Sequence, residues 1–442
     1  MTAAERKQAI ADYIKISKPA MTGIKIMYHG ERTPFEAYNI PLDLLVYNPY
    51  NGRIGSVVKS YEKQNHRTID NENPDDVLLI ERFLWESKPE ANKKTRESLL
   101  IEHQEKFGII TAEGVIIDGN RRASLLNNIR KDTSIDPFKK QHCDYFLTIV
   151  LPIDADKKEI LRLETTYQMG EDAKVDYNPI EKYLKCKDLQ DAGFTTKEIA
   201  RFMGEPNDAR GEPNDANVKM YLEVLKLMDE YLENYGYTGM YTVLPGKNED
   251  SFQKLNSALK GYKAGNVSGM WDFDPEEDTT NLKLIAFDYI RAGFDQTDFR
   301  DIIRKPTPKN PAASFFGCKD IWEGFSDRHF SQIDPITDAE ESVQAILQNA
   351  NPGDDVARLL RKRDNKWKEK VIGLITGNYK QSNEKLKNKQ DSDKPLELLQ
   401  KAFGALSDID TTQQTFLEDP QVLNCLKEIG RIVWDYKKIL EK

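Results

Sequence analysis

An α+β amino-terminal domain followed by mainly α-helical domains, one of them carrying a helix-turn-helix, is expected from three features of the sequence. Short β-branched runs alternate with helical segments only as far as about residue 155. Beyond that point apolar residues recur at three- and four-residue spacing. The 442 residues also exceed the roughly 250–300 at which single cores stop growing. The implied division is an α+β domain with a helical amino-terminal extension over 1–155, a helical domain with the helix-turn-helix over 156–240, and a helical carboxy-terminal region over 241–442.

Composition narrows the classes of function. Charged residues make up 31% and apolar ones 39% of the chain, and the mean hydropathy is −0.66, which describes a folded and strongly solvated protein. No run approaches the roughly 18 apolar residues of a membrane span, and the start "MTAAERKQAIADYIK" lacks a signal-peptide core. A cytoplasmic protein with no membrane partner is therefore expected. Cys143, Cys186, Cys318 and Cys425 stand singly, and His29, His66, His103, His142 and His329 are far apart, so reduced thiols and no histidine-based metal site or triad are expected. A formal charge of −9 argues against a basic coat for nucleic acid but leaves room for a local basic face.

Along the chain, "AERKQAIADYIKI" opens helical before Pro19 and Gly23, and "SLLIEHQEKFG" reads as a helix closed by Gly108. "IITAEGVII" is a short strand pair, and "YFLTIVLPI" alternates too little for an exposed strand and suits a buried one. "DADKKEILRLETTYQM" has Asp154 or Asp156 as cap. In "NPIEKYLKCKDLQDAG", Asn178 is the cap, Pro179 the first helical residue and Gly193 the stop. "GFTTKEIARFMGE" follows, with Thr195 or Thr196 as cap ahead of Glu198, small Ala200 for a close helix crossing and Gly204 for the turn. A duplication, "GEPNDAR" then "GEPNDAN", separates it from "NVKMYLEVLKLM", whose Val218, Leu222 and Leu225 share one face. "RAGFDQTDFRDII" weakly echoes "DAGFTTKEIARFM". The final "PQVLNCLKEIGRIVWDYKKILEK" carries an apolar stripe that fits either an intramolecular core or a dimer seam.

The stretch "EGVIIDGNRRASLL" carries the chemistry. A strand ending at Asp118 turns at Gly119 and Asn120 into a helix opened by Arg121 and Arg122. A helix start offers unpaired N–H groups and about half a positive charge, glycine allows close backbone approach, and arginine forks match phosphate oxygens. Such a turn is built to hold a phosphate chain, with Asp118 orienting Arg122 or helping a metal to bridge the phosphates. For DNA, Asn214, Asn217 and Lys219 would face a major groove, but in the company of Glu212 and Asp215. A second candidate lies between Arg358 and Lys389, where eleven Lys or Arg stand against three acids. There Arg361, Lys362 and Arg363 would meet phosphates, and Trp367 and Tyr379 would stack on bases.

Taken in order, "LLVYNPYNGR", "FGIITAEGVIIDGNRRASLL", "RLETTYQMGEDAKVDYNPIEKYL" and the helix-turn-helix resemble the amino-terminal and central regions of ParB-type partition proteins, whose nucleotide-binding fold is shared with sulfiredoxin. The resemblance spans roughly residues 40 to 235, about half the chain. It aligns Gly119, Asn120, Arg121 and Arg122 with the family's phosphate-cradling glycine, glutamate, arginine, arginine, and Asn48, Pro49 and Arg53 with its asparagine-proline box. Asn51 stands where the family has a glutamine linked to hydrolysis. Glu164 and Thr165 stand at its glutamate-asparagine pair, and Gln168 stands at the arginine ending that box.

The resemblance implies a nucleoside triphosphate, CTP before ATP, bound with Mg²⁺. Asn48, Arg53, Asp118, Gly119, Asn120, Arg121 and Arg122 would hold the nucleotide, Glu164 the metal, and Glu164 with Asn51 any catalysis. It further implies closure or homodimerisation around DNA. The departures at Asn51, Thr165 and Gln168 favour binding over turnover. Two other readings stay open: a metal-dependent nuclease or phosphodiesterase of a mobile-element or antiphage system using Asp118 and Glu164, and an adaptor with an inactive pocket.

Overall fold

The computed structural model describes residues 1–171, 178–244, 249–265, 270–294, 296–307, 310, 312–350, 356–391 and 395–441. Within them, a five-stranded mixed sheet is confined to the amino-terminal part and everything after it is helical. The strands are β1 (Met21–Tyr28), β2 (Glu31–Pro41), β3 (Gly108–Ile110), β4 (Ile116–Asp118) and β5 (Tyr145–Val150), in the spatial order β1-β2-β5-β3-β4. All neighbours are antiparallel except β3 and β5, which run parallel.

The position of β5 explains its unbroken apolar run. It is the central strand, and both its faces are covered. Phe146 packs with Ile40, Ile110 and Ile116 under the helices Gly55–Asn65, Pro74–Ser87 and Asn120–Lys131. Leu147 and Ile149 face the other way, against Ala37, Ile109, Ile117 and Leu163 of the Lys157–Thr165 helix. Side chains alternate across a strand, so a strand buried on both faces reads as continuous hydrophobicity. The expected helix stop at Gly108 is corrected. The Pro89–Glu102 helix ends at His103, which takes φ +68°, and Gly108 instead opens β3.

Most of the helical part shares one core. The Pro179–Asp191 helix is capped by Asn178 with Pro179 at its first position. Gly193 turns the chain with φ +86°, and Thr195 forms a reciprocal capping box with Glu198 on the Thr196–Phe202 helix. Gly293, φ +78°, ends the Glu277–Ala292 helix in the same way before a further short helix, Gln296–Ile303. One apolar cluster runs from Ile180 through Val224, Phe287, Trp322 and Trp367 to Leu386, so it crosses the division expected near residue 240. The last helices, Pro395–Ser407, Gln414–Glu418 and Pro420–Leu440, contribute nothing to it. No helix among the described residues is long and apolar enough to cross a membrane.

Candidate functional site: a loop, a helix start and a buried polar seam

The Asn120–Lys131 helix leaves β4 through Gly119, which has a φ of +101° and makes no side-chain cap at the helix start. Glycine is required here for two reasons. The left-handed φ disfavours any side chain, and a Cβ would lie 2.6 Å from the Phe146 ring. Asn120 is buried, and its side chain accepts from the Asn48 N–H (2.9 Å) and donates to the Ile116 carbonyl (2.9 Å). That pair of bonds fastens the Asn48–Arg53 loop to the helix start.

Inside the loop, Asn48 Oδ1 accepts from the Tyr50 N–H at 3.0 Å. Asn51 Nδ2 donates to the Asn48 carbonyl (2.8 Å), and Asn51 Oδ1 accepts from the Arg53 N–H (3.1 Å). Asn51 is 1% exposed, so both ends of its amide are committed to holding the loop. Arg122 donates to Asp118 (2.9 Å) and to the carbonyls of Lys106 and Phe107. Asp118 thus orients Arg122, while Arg53 and Arg121 sit half-buried on the two fastened segments.

A third wall comes from the helical side. The Gly52 N–H donates to Gln168 Oε1 (2.9 Å), and Gln168 Nε2 donates to the Ile117 carbonyl (3.0 Å). A Cβ on Gly52 would sit 2.9 Å from that same oxygen, so glycine permits the contact. Behind it lies an ion pair, Lys185 Nζ to Glu164 Oε1 at 3.0 Å, with side chains 3% and 4% exposed. Glu164 Oε1 has this charge partner but no aligned hydrogen bond. One turn earlier on the Lys185 helix, Glu181 accepts from both the N–H (3.0 Å) and the hydroxyl of Ser56. The carboxylate of Glu181 therefore occupies the amino-terminal end of the Gly55–Asn65 helix, where the macrodipole favours an anion. Burial pushes the carboxyls of Glu164 and Glu181 up, opposed by Lys185 at the first and by Ser56 at the second.

The structure thus brings Asn48, Asn51 and Arg53 together with Asp118, Gly119, Asn120, Arg121 and Arg122, and sets Glu164 behind the Gly52–Gln168 contact. Sequence reasoning missed Ser56, Glu181 and Lys185. Glu181 and Lys185 lie four residues apart on a helix, the pattern of a solvent-exposed ion pair. The available signal was their interleaving with Ile180, Tyr183, Leu184 and Cys186, all of them buried on the same helix. Among the described residues no three His, Cys, Asp or Glu side chains gather as a metal site.

The candidate DNA residues are largely engaged with the protein itself. Asn214 Oδ1 accepts from the Ala216 N–H (3.0 Å), Asn217 donates to Glu205 (2.6 Å), and Lys219 pairs with Asp215 (3.0 Å). The Thr196–Phe202 and Ala216–Asn234 helices pack through Ile199, Ala200, Met203 and Val218. Their connection spans residues 203–215, in which the duplicated segment folds back with Asn207 bridged to Pro213. A helix-turn-helix ordinarily uses a three- to four-residue turn.

The expected stacking surface is corrected. On the Val356–Gln390 helix, Trp367 and Tyr379 are buried in the main core, where neither ring meets a base. Arg363 turns inward to Glu340 (3.3 Å), the Tyr237 hydroxyl (2.8 Å) and the Tyr235 carbonyl (3.1 Å). Arg361 and Lys362 remain exposed.

These features define a class by geometry: an α+β sheet domain clamped to a helical body through a buried polar seam, with a helix start that has no side-chain cap beside the clamp. No family model matches the sequence, and no curated protein matches it.

Proposed function

We propose that the chain binds a nucleoside triphosphate, CTP or ATP, with Mg²⁺, and uses its occupancy as a conformational switch for DNA engagement. The observation that carries this reading is the Asn48–Asn120 bond at 2.9 Å, which holds the "NPYNGR" loop against an uncapped helix start bearing Arg121 and Arg122. A helix start without a side-chain cap, a glycine turn and two arginines favour an anion there, with Arg122 exchanging its bonds to Asp118 and the Lys106 and Phe107 carbonyls for phosphate. Mg²⁺ uses one or two carboxylates together with substrate phosphates, and when bound it neutralises phosphate charge. Glu164 meets that need only when Lys185 withdraws from it.

Lys185 is then the group that changes partner, from Glu164 to phosphate. Because the Gln168–Gly52 contact and the Glu181–Ser56 cap join the loop to the helical body, a ligand that alters the loop also biases how the two parts sit together. Exposed Arg361 and Lys362 supply sequence-independent phosphate contacts for DNA. Hydrolysis is disfavoured, since Asn51 spends its amide on the loop backbone.

An adaptor is the second reading, and one observation favours it: Glu164 is paired with Lys185, and Gln168 is bonded at both ends to the Gly52 N–H and the Ile117 carbonyl. A thermal-shift series with CTP, ATP, GTP and UTP, each with and without Mg²⁺, separates the two. A Mg²⁺-dependent rise for one nucleotide that is lost in Arg121→Ala supports the switch, because a ligand at a hundred times its Kd stabilises the folded state by about 2.7 kcal/mol. No rise with any nucleotide supports the adaptor.

A further inference from the structure

The Val356–Gln390 helix walls a cleft that lies outside the nucleotide reading. Its volume is about 330 Å³, which falls within the range of small-ligand sites. One face of the helix forms one side, and the turn at Ala339, Glu340 and Glu341 with Ile346 forms the other. Lys362, Lys366 and Lys370 stand on that helical face at four-residue spacing, above an apolar lining of Ile346, Leu359 and Trp367.

We infer that this cleft binds a small phosphate monoester with an apolar or aromatic body. Charge is the first argument. The three lysines are exposed, and none is ion-paired among the described residues. Like charges one turn apart repel, a cost that a bound anion removes. The acids on the opposite side offer little relief. Glu340 is held by Arg291 through two bonds of 2.8 Å and by Arg363 at 3.3 Å, so its carboxylate is spent. Glu341 remains, and three lysines against one carboxylate leave two positive charges. A phosphate monoester carries about that much negative charge near pH 7. Lysine ammonium groups on long stems act as movable point charges, so three of them can gather on one phosphate.

The apolar lining is the second argument, because it gives the cleft a use for more than an inorganic anion. A site that combines convergent charges with an apolar wall selects a ligand having both parts. The wall is also fixed before any ligand arrives. Trp367 Nε1 donates to Thr337 Oγ1 at 2.9 Å, and the Arg291 guanidinium lies 4.3 Å from the Trp367 ring centre. Arg363 is anchored to the Tyr237 hydroxyl (2.8 Å) and the Tyr235 carbonyl (3.1 Å). A wall that is already ordered costs little entropy on binding.

Duplex DNA offers phosphate too, but its bases are stacked inside and bring no apolar body to the cleft. Lys366 and Lys370 carry the inference, and Lys362 at the same face is left in place in the test. Phenyl phosphate is the probe, titrated into the full chain by ligand-observed NMR. Saturable binding below about 1 mM is expected, with inorganic phosphate and phenol each at least about tenfold weaker, since each supplies half of the recognition. Lys366→Gln with Lys370→Gln should weaken the probe at least about tenfold and leave the circular dichroism unchanged, because both side chains are exposed. Arg121→Ala should leave the probe's affinity as it is, which separates this cleft from the helix start at Gly119. No saturation below about 10 mM, or inorganic phosphate binding as tightly as the probe, overturns the proposal. So does a double substitution that weakens a short DNA duplex but not the probe.

Discussion

Replacing Lys185 by Met probes the seam that joins the sheet to the helical body. The methionine keeps the unbranched stem, whose Cε would lie 3.7 Å from a Cβ at Gly52, and removes only the charge that faces Glu164. Both partners are almost fully buried, so little solvent screening reduces the effect. Breaking a buried pair by removing one partner costs about 3–5 kcal/mol, because the other charge is stranded in low dielectric. Adding Glu164→Gln removes the stranded charge, and the double variant should recover about 2–3 kcal/mol of that loss.

The recovery should also depend on pH. Burial already raises the Glu164 carboxyl, and without Lys185 it rises further. For a carboxyl raised on folding, protonation favours the folded state. The penalty in Lys185→Met is therefore absent below the ordinary carboxylate pKa and grows as pH climbs through the raised one. Urea unfolding followed by far-ultraviolet circular dichroism at pH 8 and pH 5 measures the parent and both variants. A single variant within about 0.5 kcal/mol of the parent, or a double variant no more stable than the single, would refute the buried-pair reasoning.

Three further predictions rest on other parts of the structure. Arg67 grips buried Asp76 through both carboxylate oxygens, 2.8 and 2.7 Å, and holds its carboxyl below the usual range. That contribution is present above the unfolded-state pKa and is lost as pH falls through the lowered one. Asp76→Asn should cost about 1–2 kcal/mol at pH 7, a deficit that shrinks below about pH 4 in an acid-unfolding series. On the basic helix, Lys362→Ala should lower the salt slope of DNA binding by about one and leave the melting temperature unchanged. Trp367→Ala should cost about 3–5 kcal/mol of stability with no stacking loss of its own; filter binding across a salt series and thermal melts distinguish the two.

Much of the fold was legible where local chemistry decides it. Asn178, Pro179, Gly193 and Thr195 act at the helix boundaries where their side chains and backbone preferences suggest, and β5 reads as buried because it is covered on both faces. Legibility fell where tertiary contacts decide. Gly108 resembles a helix stop but belongs to a strand, and Trp367 and Tyr379 resemble a stacking surface but are packed inward. Glu181 and Lys185 show the limit most clearly. Their four-residue spacing is the same whether they face water or a second domain, and only the packing of the Gly55–Asn65 helix against theirs turns them inward. The last helix was open to two readings, core or seam, and the lack of any buried side chain on it speaks against the first among the described residues.

The most direct measurement is amide hydrogen exchange of the full chain with and without the stabilising nucleotide and Mg²⁺. Backbone N–H groups at an uncapped helix start slow their exchange when a phosphate binds them. Protection should rise in peptides spanning 48–56 and 118–123, with a smaller change around 164–168 and 181–185. Nucleotide that protects other segments while leaving 118–123 unchanged would contradict a phosphate site at the Gly119–Arg122 turn.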